Sequence, residues 1–121
     1  MAVVLGLVGC VGKVTETTPG SKPAYRDRVT NRYQKTVDQV FEATKQAVTS
    51  FGNVTRADTV PAATNQVRTV EGMINGREIY VRIEALAPKN TEAVVQVRTK
   101  TGGTDLRLAA DVVRQIGVYL E

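Results

Sequence analysis

The chain has 121 residues, 42% of them apolar, with no Trp, no His and a single Cys. That length accommodates one domain, and the census removes the usual zinc and haem ligands, any intramolecular disulfide and the commonest acid–base side chain. The net charge of +4 resides in residues 11–35, where Lys13, Lys22, Arg26, Arg28, Arg32 and Lys35 outnumber Glu16 and Asp27, while residues 36–121 balance ten of each sign.

A basic arm on a neutral body argues for attraction to an anionic surface. It argues against a body shaped as a nucleic-acid footprint. With only Phe41, Phe51 and four tyrosines, the core must be built from Val, Ile, Leu and Ala. Neither a cofactor nor a metal is expected from this composition.

Residues 1–9, MAVVLGLVG, are wholly apolar and Cys10 follows. Leu7-Val8-Gly9-Cys10 resembles the bacterial lipobox, in which small residues admit a peptidase and the thiol accepts a diacylglycerol through a thioether. Resemblance to lipoprotein precursors implies removal of residues 1–9 and a lipid on Cys10. No Lys or Arg precedes Cys10, whereas such leaders carry a basic start. The competing reading is an apolar strand with an incidental thiol. The apolar run is too short to span a bilayer. Residues 10–28 then read as a flexible linker rich in Thr, Pro, Gly, Ser and Lys. Each basic residue near an acidic lipid surface adds about 1 kcal/mol of attraction.

The body is expected over residues 29–121. Val29–Lys35 alternates and predicts a first strand. Thr36-Val37-Asp38-Gln39 has the form of a capping box. Val37, Val40, Phe41, Thr44, Val48 and Phe51 recur at helical spacing, and Gly52 stands at the stop position. Residues 53–60 predict a second strand. Two alternating runs flank Asn75-Gly76, the dipeptide that favours a two-residue hairpin turn. That turn sets the register: Ile74 opposite Arg77, Gly72 opposite Ile79, Glu71 opposite Tyr80, Val70 opposite Val81 and Thr69 opposite Arg82. Pro88-Lys89-Asn90 predicts the next turn, and Glu92–Lys100 a strand with Ala93, Val95, Val97 and Thr99 inward. Gly102-Gly103 ends it. Thr104 or Asp105 caps a final helix whose buried stripe is Leu108, Ala109, Val112, Val113, Ile116 and Leu120.

The expected fold is therefore α+β, an antiparallel sheet of about five strands with two helices on one face, in the order β-α-β-β-β-β-α. The other face is expected to be solvated. It carries Glu71, Tyr80, Arg82, Glu84 and Arg98, with Thr69 and Gln96 between them. Tyr80, Arg82 and Arg98 are the candidate partner-binding residues, against the plainer reading of cross-strand charge pairs on a wet surface. A single tyrosine is too few rings for an RNA-stacking sheet.

No catalytic spacing is found. Gly6, Gly9, Gly12 and Lys13 do not fit a P-loop, which needs Gly where Leu7 stands and Ser or Thr where Val14 stands. Gly102-Gly103-Thr104-Asp105 reads as a helix cap, because a carboxylate in that place repels a second anion. A non-enzymatic protein is expected.

Leu7-Val8-Gly9-Cys10, Tyr33 before Val37–Thr44 in the form V-x-x-V-F-x-A-T, the Asn75-Gly76 hairpin with Ile79, Val81 and Ile83, and the closing helix together resemble uncharacterised small bacterial lipoproteins, a family of unknown function. The resemblance spans most of the body and rests on fold-type patterns. It implies a periplasmic, lipid-anchored location in the cell envelope, a helix-packed antiparallel sheet and no known activity. The architecture is also similar, by analogy alone, to the helix-grip modules of an outer-membrane assembly lipoprotein. Three functions are compatible with it: a tethered module that binds a protein or cell-wall partner, a periplasmic carrier of a small apolar ligand, and a cytosolic basic-tailed nucleic-acid binder.

Overall fold

A computed structural model describes residues 28–60 and 67–121. The segment 1–9, Cys10 and the linker up to residue 27 lie outside the described residues. Seven elements follow one another: β1 (Arg28–Tyr33), α1 (Val37–Phe51), β2 (Asn53–Val60), β3 (Val67–Ile74), β4 (Arg77–Ala87), β5 (Asn90–Arg98) and α2 (Leu106–Tyr119). The fold is α+β, as expected. The strands make one open, wholly antiparallel sheet in the order β1-β5-β4-β3-β2. Among the described residues no helix is long and apolar enough to cross a membrane.

Local chemistry explains most of the elements. The Thr36 hydroxyl accepts from the Gln39 amide at 3.2 Å, and the Gln39 side chain accepts from the Thr36 amide at 3.0 Å. Two amides that the first helical turn would leave unpaired are thus satisfied. Asn75 and Gly76 both take positive φ, 51° and 79°, which a right-twisted two-residue hairpin requires. All five expected pairs from Thr69–Arg82 to Ile74–Arg77 are present.

One sheet face and both helices form the core. Val40, Ala47, Val48, Ala109, Val112 and Ile116 from the helices pack on Val70, Ile79, Val81, Ile83, Ala93, Val95 and Val97. The α1 stripe differs in detail from the expected one: Ala43 and Ala47 are buried, while Phe41 and Phe51 are only partly so. Small side chains let the helix lie close to the sheet, and the larger rings move to the rim. Phe41 there lies between two cations, with Lys45 Nζ 4.5 Å and the Arg68 guanidinium 5.4 Å from its ring centre.

Several boundaries depart from expectation. β1 begins at Arg28 and ends at Tyr33, because the chain must turn through residues 34–35 to enter α1 at its cap. β5 begins at Asn90 and ends at Arg98. Thr99 is therefore not an inward strand residue. It organises the turn that follows, where its amide donates to the Gly103 carbonyl and its hydroxyl accepts from the Gly103 amide. Asp105, not Thr104, caps α2 by accepting from the Leu108 amide at 3.0 Å. Gly52 is extended (φ −171°), so it does not end α1 by a left-handed turn. A Cβ there would collide with the Met73 carbonyl, and closeness to β3 is what calls for glycine.

Candidate functional site

Strand alternation places Tyr80, Arg82, Glu84, Glu92, Gln96 and Arg98 on the sheet face opposite the helices. Tyr80 stands beside Gln96 across β4 and β5, Arg82 beside Val94, Glu84 beside Glu92, and Glu78 beside Arg98. β3 adds Thr69 beside Arg82 and Glu71 beside Tyr80. The three candidate residues therefore share one face, with Tyr80 between Arg82 and the Arg98 end.

This face is not the wet surface that alternation predicts. Tyr80 is 4% exposed, Gln96 is fully buried, and Thr69, Glu92 and Val94 are also buried. Arg82 and Glu84, each with its side chain 2% exposed, form an ion pair at 2.9 Å. α1 and α2 lie on the other face and do not account for this burial. Charge survives there because it is paired. Glu84 and Glu92 are like charges placed side by side, and each has its own arginine: Arg82 for Glu84, and Arg32 for Glu92 at 3.3 Å. None of Tyr80, Arg82, Glu84, Glu92 or Gln96 lacks an interaction partner.

Arg98 is only half-buried, and its Nη2 has no hydrogen-bond partner. The Tyr80 hydroxyl donates to Glu78 Oε1 at 2.6 Å. Burial pushes the Tyr80 phenol well above the usual tyrosine range, and the bond to the Glu78 carboxylate adds to the shift. Tyr33 is also raised, by burial against α2, where its hydroxyl donates to the Val113 carbonyl at 2.9 Å. Phenols held neutral in this way serve as hydrogen-bond donors and not as bases.

The arrangement offers paired charges and amides and no activated nucleophile. Among the described residues no group of three or more His, Cys, Asp or Glu could hold a metal ion. Sequence reasoning did not anticipate an open groove of about 480 Å³ on the outer side of the helices, lined by Glu42, Lys45, Gln46, Thr49, Ser50 and Tyr119. Its only legible sign was Tyr119, an aromatic outside the buried stripe of α2. Cys10, the candidate lipidation site, lies outside the described residues.

No family model matches the chain, and no curated protein matches it in sequence.

Proposed function

We propose that the chain is a non-enzymatic lipoprotein of the bacterial cell envelope, tethered on the periplasmic side of a membrane through a lipid on Cys10 and acting as an interaction or structural module. The observation that carries this reading is Leu7-Val8-Gly9-Cys10 after a wholly apolar start, followed by a basic, turn-rich segment. The small residues before Cys10 suit peptidase access, and the cationic arm suits an anionic headgroup layer. The neutral body with its paired charges supports a module that meets a protein or cell-wall partner over one that meets nucleic acid.

Carriage of a small apolar ligand between helices and sheet is the second reading. It is weakened by the packing there, since Val40, Ala47, Val48, Val81, Ile83, Val95 and Ile116 are fully buried against one another. Such a carrier needs a cavity of roughly 300 Å³ or more. Tyr80 and Arg82 are withdrawn from solvent, so the sheet edges and Arg98 are the accessible parts of the expected partner surface.

Mass spectrometry of membrane fractions tests the tether. The expected species begins at Cys10 and carries fatty-acyl mass, and a Cys10→Ala variant leaves the membrane. Recovery of the native chain from the soluble fraction with residues 1–9 intact would overturn the proposal.

A further inference from the structure

The two edges of the sheet are not alike. β2 carries a register shift at Thr55 and an ion pair between Arg56 and Asp58, both devices that spoil an edge for further pairing. β1 has no such shift, since its six residues run against β5 in unbroken register from Arg28–Gln96 to Tyr33–Thr91, and its Arg32 is paired inward across the sheet with Glu92. Thr30, Asn31 and Arg32 are exposed at this edge. An unbroken edge strand is a template for one more strand.

We propose that the β1 edge is a homodimer interface, joining two copies into one continuous antiparallel sheet about a two-fold axis through Asn31. A two-fold axis normal to the sheet pairs residues of like parity and keeps each on its own face. With the axis at Asn31, Val29 of one copy stands opposite Tyr33 of the other, both on the helix side where Val29 and Tyr33 already adjoin the core. Thr30 stands opposite Arg32, and Arg28 lies past the point where the partner's strand ends at Tyr33. No two charges of one sign then meet. The neighbouring choice, with the axis at Thr30, sets Arg28 against Arg32 twice and is disfavoured.

The helix above this edge fits the same occupant. Val113 takes the Tyr33 hydroxyl through its carbonyl, and a Cβ on Gly117 would lie 3.9 Å from the Tyr33 ring, so this row of α2 faces β1. Leu106 lies on the same row, seven residues before Val113, and is 45% exposed. A second copy docked on β1 would cover it. Dimerisation is independent of the tether, so either proposal can fail alone.

Sedimentation of the full chain at micromolar concentration, in buffer with mild detergent, tests the inference. A protein mass twice that of the 13.1 kDa chain is expected. Asn31→Lys and Asn31→Asp, each alone, place like charges on the axis and weaken the dimer at least about tenfold. An equimolar mixture of the two restores it as a heterodimer. Thr30→Lys, opposite Arg32, supplies a second disruptive variant should the substitutions at Asn31 impair folding. A monomeric wild type, or an assembly indifferent to these substitutions, overturns the proposal. Association through the apolar first nine residues would give the second of those results.

Discussion

At the scale of single residues, Arg82 and Glu84 are the most consequential pair. Their charges sit 2.9 Å apart with almost no access to water. Replacing one of them takes the adjacent opposite charge from the other in a buried place, which costs about 3–5 kcal/mol. Arg82→Met is therefore expected to shift the urea midpoint sharply, and Arg82→Met with Glu84→Leu to recover much of the loss. The tyrosines give a pH signature. The phenols of Tyr80 and Tyr33 are both raised, so the unfolded chain loses their protons first as pH climbs. The associated stability is complete below about pH 10 and is lost above it. Denaturation midpoints at pH 9 and pH 11 should show the decline, and Tyr80→Phe should make it shallower. None of this was legible beforehand. Alternation assigns Tyr80 and Arg82 to a face but carries no information on whether that face meets water.

At the scale of elements, sequence and structure agree wherever one short segment contains its own instructions. The capping box at Thr36, the Asn75-Gly76 turn and the period-two pattern of β3 and β4 each specify geometry within a few residues, and each is present. Thr36→Ala should cost about 1 kcal/mol by removing the hydroxyl that accepts from the Gln39 amide, measurable as a lower melting temperature without change of fold. Boundaries were less legible because they depend on neighbours. β5 stops at Arg98 since Thr99 and Gly103 bond to each other, and Gly52 is needed because β3 passes close by. Gly72 is held by the same kind of crowding. A Cβ there would collide with the Asn53 carbonyl and stand 2.8 Å from Val48 Cγ1. Gly72→Ala is expected to lower stability by about 1–3 kcal/mol in chemical denaturation.

At the scale of the whole molecule, the element order was legible but the seating of β1 was not. β2 to β5 form a meander of neighbours in sequence. β1 instead joins β5 across the chain through Arg32–Glu92, 60 residues apart, and joins α2 through Tyr33–Val113, 80 apart. No local pattern encodes such a partner, because the loop closed is longer than any sequence period. The candidate site was legible to the same degree: the shared face of Tyr80, Arg82 and Arg98 followed from hairpin register, its withdrawal from solvent did not. Hydrogen exchange should reflect the sheet order, with amides of the edge strand β2 exchanging faster than those of β4, which is flanked on both sides.

The same connection has a mechanical side. Among the described residues β1 is a six-residue strand whose one neighbour within a single copy is β5. Tension applied at Arg28 is delivered first to the β1–β5 seam, while the four-stranded meander bears load only after the seam has yielded. Pulled at Arg28, a single copy should give way in two steps, the first small and reversible.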